Sequence, residues 1–257
     1  MARRVRMGEM AWPEFGERAK GGQATVIVPV GAIEQHGPHL PLNTDVVIPD
    51  DLAVQVALRT EAIVAHPIAY GYKSQPRTGG GDRFPGTVNL DAVTFIHTVR
   101  DVIKEMARHG VRKLALFNGH SENAMFIVEG IDLAMRDLKV QGVDDLRVMR
   151  TDYWDFARLE TLNKVWTDGF PGWGSEHAGV VETALMLHLR PDLVDMARAP
   201  VHPPSAFPPY DMYPTNPDWM PWSGSMRSPV IATAAHGAMM FEEYVAEMTA
   251  AVRREFG

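Results

Sequence analysis

The residues best suited to chemistry cluster just after a short apolar run, in the segment Gly31-Ala-Ile-Glu34-Gln-His36-Gly-Pro-His39-Leu-Pro-Leu-Asn-Thr-Asp45. Glu34 and His36 stand two residues apart, so an extended segment points both to one side. Asp45 opens the next helical pattern and can fold back across a turn made by Gly37 and Pro38. Two carboxylates and an imidazole at a strand end suit a hard or borderline divalent cation. The bland alternative makes Asp45 a helix cap and His36 a loop hydrogen bonder. A second segment, Phe117-Asn118-Gly119-His120-Ser121-Glu122, repeats the His-x-carboxylate spacing where another strand meets a helix. Here Gly119 allows a tight turn and Asn118 can orient a ligand through its amide. Taken alone, this segment reads equally as a turn with Ser121 capping a helix and Glu122 at its positive end.

Together the two segments supply Glu34, His36, Asp45, His120 and Glu122. Five such ligands exceed the three plus water of a single catalytic zinc. They suit two ions sharing a carboxylate, with Asp45 the natural bridge. Such a pair holds a hydroxide at neutral pH and polarises a carbonyl, the equipment of a hydrolase. A third segment, Trp173-Gly-Ser-Glu176-His177-Ala-Gly, opens a later helix. His177 can shuttle a proton to a leaving nitrogen, and Glu182 can orient it or a metal ligand. Trp154 and Trp173 can wall a small flat ligand, although core packing is the commoner role of a lone Trp. His39 suits a supporting position. His97, His109 and His188 lie on helices without acidic partners at ligand spacing, and His66, His202 and His236 lie in loops or at strand ends. Gly79-Gly-Gly81 lacks the following Lys-Ser or Lys-Thr of a phosphate loop.

The elements that must position these residues alternate between strand and helix. Ala24–Val30 is a near-continuous apolar run, as expected of a strand covered on both faces. Val46–Thr60, with Pro49 near its start, has helical spacing. Strands are predicted at 62–65, 113–117 and 146–149, and helices at 91–109, 122–138, 178–189 and 237–256, the last exposing Glu242, Glu243, Glu247, Arg253 and Arg254. Residues 70–90 form a long loop. This order implies an α/β fold with a mostly parallel sheet covered by helices, binding ligands at the strands' carboxyl ends. Of 19 prolines, 10 lie between Pro191 and Pro229. That concentration marks 191–235 as an extended arm within one domain spanning 1–257, lying over the domain or over a neighbouring subunit.

Composition bounds the rest. The 257 residues carry a net charge of −7 and no cysteine, which removes disulfides and thiolate ligands. Nothing resembles a nucleic-acid patch or a bilayer-spanning run. The basic start, Met1-Ala-Arg-Arg-Val-Arg6, is followed by Gly8, Glu9 and Trp12 where a signal peptide needs its apolar core, so a cytoplasmic location is expected.

Longer stretches carry a resemblance to the creatininase family. They are Pro29-Val-Gly-Ala-Ile-Glu-Gln-His-Gly37, Tyr70-Gly-Tyr-Lys-Ser-Gln75, Phe84-Pro-Gly-Thr87, Asn118-Gly-His120, Phe126-Ile-Val-Glu-Gly-Ile-Asp132, Tyr153-Trp-Asp-Phe156 and Phe207-Pro-Pro-Tyr-Asp211. The resemblance implies a layered α/β sandwich, a homohexamer built as a trimer of dimers, and two divalent ions per subunit, zinc and/or manganese. It implies that Glu34 and His120 hold one ion, His36 and Glu122 the other, and that Asp45 bridges them. It further implies catalytic roles for His177 and Glu122, with Thr78, Ser121, Trp154, Trp173 and Gly174 at the substrate. The expected reaction is metal-hydroxide opening of a small cyclic amide, creatinine or an analogue. The alternative keeps the metals and changes the bond, to a cyclic diketone of inositol catabolism or a formamide. Three positions depart from the family's namesake: Ser121 replaces a tyrosine, Gly174 an aspartate and Thr78 a serine. Those changes widen the expected pocket and remove a partner for a donor-rich ligand.

Overall fold

The computed structural model describes residues 4–257, so part of the basic N-terminal run, Met1 to Arg3, lies outside the described residues. Four parallel strands form the sheet, in the order β2-β1-β3-β4: β1 Thr25–Val30, β2 Ile63–Val64, β3 Lys113–Asn118 and β4 Arg147–Asp152. The helices are α1 Trp12–Ala19, α2 Thr44–Thr60, α3 Pro76–Gly79, α4 Ala92–Arg108, α5 Ala124–Val140, α6 Leu159–Val165, α7 Val180–Leu189 and α8 Ala234–Phe256.

Both faces of the central strands are apolar, and their alternation sorts the core into two halves. Ile27, Ala115 and Phe117 face α2, α7 and α8, whereas Val26, Val28, Leu114 and Leu116 face α4 and α5. Each fully buried aliphatic side chain of this kind contributes roughly 1.5–3 kcal/mol, which ties the helices to the sheet and fixes its register. That register matters for function. Val30 pairs with Asn118 and Asn118 with Asp152, so three strands end level and the residues just beyond them emerge side by side.

The expected elements are all present with shifted ends, and three helices appear that periodicity did not reveal. Within the predicted 70–90 loop lies the single turn of α3, and Val88 and Leu90 bridge to Ile33 and Tyr72. α1 and α6 are short. The acidic residues of α8 are not simply a solvated face: Glu243 accepts from the Arg158 backbone N–H and Glu247 pairs with Arg158, holding the start of α6. Asp91 precedes α4 without capping it and pairs instead with Lys73. Residues 191–233 contain only three short 3-10 turns and Ala234 already opens α8, but the segment is anchored. Met226 N–H donates to the His177 carbonyl, and the Gly224 carbonyl accepts from Gln35 Nε2, both at 2.9 Å. The far end of the arm therefore fastens to the loops of its own chain's strand ends.

Candidate metal centre

α2 begins directly over the ends of β1 and β3, which brings Asp45 between the two histidine segments. Two glycines permit this approach. A side chain at Gly31 would strike the Asp45 carbonyl, and one at Gly119 would meet that carbonyl and come within 2.7 Å of Pro49 Cγ. Gly119 thus acts through close contact with α2 rather than through a tight turn. Asn118 also differs from expectation. Its amide nitrogen donates to the His120 carbonyl and to Asp152 Oδ1, both at 2.7 Å, so it holds the loop rather than a ligand. Asn123, which the sequence did not single out, donates to the Gly31 carbonyl and accepts from Tyr72 N–H, tying the loop after β1 to the loop after Gly71.

Asp45 is almost fully buried and its two oxygens face different histidines. Oδ1 lies 2.9 Å from His36 Nε2, and Oδ2 lies 3.1 Å from His120 Nδ1. Glu34 Oε2 is also 3.1 Å from His120 Nδ1, and Glu122 sits 3.6 Å from the other nitrogen of that ring. On the opposite side Glu182 Oε1 lies 3.7 Å from His36 Nε2. Three candidate ligand groups result among the described residues, Glu34–His120–Glu122, His36–Asp45–Glu182 and Glu34–His36–His177. Glu122 therefore groups with Glu34 and His120 rather than with His36, which groups with Asp45 and Glu182 and with Glu34 and His177. The other Glu182 oxygen accepts from the Ala178 backbone N–H at 2.6 Å, which aims the carboxylate from the start of α7.

The hydrogen bonds leave a donor set that fits cations. His36 Nδ1 contacts the Glu34 carbonyl at 3.1 Å and His120 Nε2 contacts the Tyr72 carbonyl at 3.0 Å. A carbonyl can only accept, so each of these nitrogens carries a hydrogen. The remaining nitrogens, His36 Nε2 and His120 Nδ1, then turn lone pairs toward carboxylates. Both Glu34 oxygens, His36 Nε2 and Asp45 Oδ2 are buried without a hydrogen-bond partner. Orphaned acceptors packed this closely repel one another, and a divalent cation between them removes the conflict.

A proton answers the same need in the cation-free chain. Burial opposes charge on His36, but Asp45 and Glu182 outweigh it and hold its pKa well above the ordinary 6.5. Burial likewise opposes charge on His120, and Glu122 and Glu34 overcome it. Burial would raise the Asp45 pKa, yet the two imidazoles pull it far below the carboxylate range. Glu122 is buried too, but His120 and hydrogen bonds from Ser121, Thr78 and the Gln75 N–H lower its pKa. His39 lies behind His36, its Nε2 2.9 Å from Thr183 Oγ1. Burial and His36 lower its pKa to about 4, so it stays neutral. Glu176 is the reverse case: burial pushes its carboxyl to about 8, with Arg227 at 3.4 Å too distant to offset it.

A cavity of about 240 Å³ opens over this cluster, lined by Thr78, Ser121, Trp154, Trp173, Gly174 and His177 among others. All five residues expected at the substrate thus border one space with Glu34, Asp45, His120, Glu122 and Glu182. Trp173 packs edge-on against Phe170, and Trp154 against Tyr153. His177 lies with its ring centroid 4.4 Å from that of His36. Its Nε2 donates to the Gln35 carbonyl at 2.9 Å, leaving Nδ1 toward the cavity, 3.8 Å from Glu34 Oε2. Gln35 was not singled out by sequence. Besides accepting that imidazole hydrogen, its amide donates to the Gly79 and Gly224 carbonyls, gathering three loops around the cavity.

The chain is similar to known proteins over nearly its whole length. The family profile described as creatinine amidohydrolase matches residues 8–252. The creatinine amidohydrolase of Pseudomonas putida is 46% identical over 257 residues, covering 100% of this chain and 99% of that protein. The 3-dehydro-scyllo-inosose hydrolase of Thermotoga maritima is 40% identical over only 97 residues, 38% of this chain and 30% of that protein. Solved creatininase structures superpose over 99% of both chains: a manganese form and a zinc–zinc variant at TM-score 0.97 and 46% identity, and a variant with creatine bound at 0.96 and 45%.

Proposed function

The chain belongs to the creatininase family, and from that premise we propose that it is a binuclear metal-dependent hydrolase that opens a small cyclic amide, creatinine to creatine or a close analogue. The observation that carries this reading is the placement of the two Asp45 oxygens, one toward His36 and one toward His120, beneath a cavity bordered by two tryptophans. Glu34, His120 and Glu122 would hold one ion, His36 and Glu182 the other, with Asp45 bridging. Zinc and manganese both accept such nitrogen and oxygen donors. Bound there, two such ions supply an activated water and polarise the amide carbonyl.

The chain's own residues do the rest. Trp154 and Trp173 restrict a flat ring to an orientation that presents its carbonyl to the cluster, converting encounter into near-attack geometry. His177 takes a proton from the attacking water at Nδ1 and delivers it to the ring nitrogen as the amide bond breaks. The Gln35 carbonyl fixes which nitrogen does so, because it engages Nε2. Glu122, held ionised by its hydroxyl and backbone donors, keeps its charge toward the cluster. Hydroxyls of Ser121 and Thr78 at the cavity wall would also suit a hydroxyl-rich ring. The cyclic-diketone reading rests on that feature and on a partial match, whereas similarity over the whole length favours the cyclic amide. The same reading places the enzyme in the cytoplasm as a homohexamer, a trimer of dimers. Large exposed apolar side chains such as Trp12 and Tyr213 support association, since a second copy would cover them.

The test is creatinine turnover by protein reconstituted with zinc and manganese, beside a chelated control and His177→Ala. Metal-dependent formation of creatine is expected. His177→Ala should keep two ions and lose about 10²–10⁴-fold in kcat. Loss of an ion together with the rate would assign His177 to the metal, with Glu34 and His36, instead of to the proton. Absence of creatine from fully loaded protein would reject creatinine as substrate.

A further inference from the structure

The catalytic cavity does not end at its tryptophan walls. On the side of Thr78, Ser121, Glu122 and Gly174 it shares those four residues with a second cavity of about 670 Å³. The first space alone falls below the roughly 300–1,000 Å³ that encloses a drug-sized ligand, and the second lies well within it. Two of the shared residues are small. Ser121 turns its hydroxyl onto Glu122 at 2.6 Å rather than across the opening. A Cβ at Gly174 would meet no heavy atom within 4 Å, so the opening there is empty space. Past it the lining adds Gln75, Arg77, Ser205, Phe207 and Asp211. Among the described residues Arg77 has one polar partner, Asp211 at 3.5 Å, the outer limit of a hydrogen bond. Most of its five guanidinium donors are therefore available to a ligand.

Resting on the hydrolytic reading of the first cavity, we propose that the two cavities form one extended site whose substrate is a cyclic amide carrying a polar arm that ends in a carboxylate or amide acceptor, with the ring over the metal cluster and the arm passing Ser121 and Gly174 to Arg77. A bare ring would leave the second cavity to water. An arm that reaches Arg77 gains charge-assisted hydrogen bonds there without changing the reacting bond.

The experiment compares creatinine with creatinine bearing a carboxymethyl arm on a ring nitrogen and one bearing a propyl arm. Binding is measured by calorimetry and turnover in parallel, on zinc- or manganese-loaded protein. The carboxymethyl ring should bind at least fivefold tighter than either comparator. Gly174→Phe, placed to fill the opening, and Arg77→Ala should each reduce that preference at least fivefold, and Gly174→Ala should preserve it. Gly174→Phe is sterically permitted at its Cβ, and Arg77 borders a cavity, so both variants can be expected to fold. A wild-type protein that binds the bare ring as well as the carboxymethyl ring overturns the proposal, as does a preference that both variants leave unmoved. Tight, variant-sensitive binding with hydrolysis of neither ring supports the extended site while contradicting the proposed reaction.

Discussion

At the scale of single residues the centre is a close-packed set of acceptors that positive charge would satisfy. Cation and proton compete for the same lone pairs, His36 Nε2 and His120 Nδ1, and this sets a pH dependence with a definite sign. Both histidines have folded pKa values above the ordinary 6.5 in the cation-free chain. Their contribution to stability is therefore complete below about 6.5 and lost as pH rises through the raised folded values. Glu176 acts in the same direction: its folded carboxyl sits near 8 against an ordinary 4.5, so stability falls between those values. Chelated protein should accordingly lose thermal stability from mildly acidic to alkaline pH, while zinc loading should abolish most of that decline and weaken below neutrality. Melting curves across pH with and without zinc check this, and parallel curves would contradict it. Most ligands were legible in the sequence because each lies within a few residues of a strand end and repeats a His-x-Glu or Glu-x-His spacing. Glu182 could be named near the site but not matched to His36, since that contact depends on where α7 starts and how the Ala178 N–H turns its carboxylate.

Elements determine how tightly the ligands converge. β1 and β3 end in register, and α2 can start above them only because Gly31 and Gly119 carry no side chain. Gly119→Ala should therefore shift α2 and Asp45 rather than strain its own backbone. Overpacking of this kind costs about 1–3 kcal/mol, and zinc affinity should fall at least tenfold alongside the melting temperature. Unchanged zinc affinity would show that Asp45 does not depend on this contact. The strands were readable as apolar runs and the long helices as 3.6-residue patterns. α1 and α6 were not, because α1 has Trp12 exposed and Gly16 in its middle, and α6 is two turns held from outside by Glu243 and Glu247. The order of the strands is likewise a property of packing, since both faces of β1 and β3 are equally apolar.

The whole molecule combines a parallel sheet, a proline-rich arm and one polar centre at the strands' carboxyl ends. The arm's concentration of prolines announced an irregular segment, but not that Gly224 and Met226 would fasten it to Gln35 and His177. No helix among the described residues is long and apolar enough to cross a membrane. Assembly belongs to this scale. Light scattering should return a mass of six 28.5-kDa chains, and a monomer active at the same dilution would contradict the proposed hexamer. The central claim is that Asp45 joins two ions into one hydrolytic unit. Its most direct test is the metal content of wild-type protein and Asp45→Ala after equilibrium dialysis against zinc or manganese. Two ions per chain in the wild type are expected, with both bound weakly or lost together in Asp45→Ala. A single ion in the wild type, or one ion held at full affinity by the variant, would contradict it.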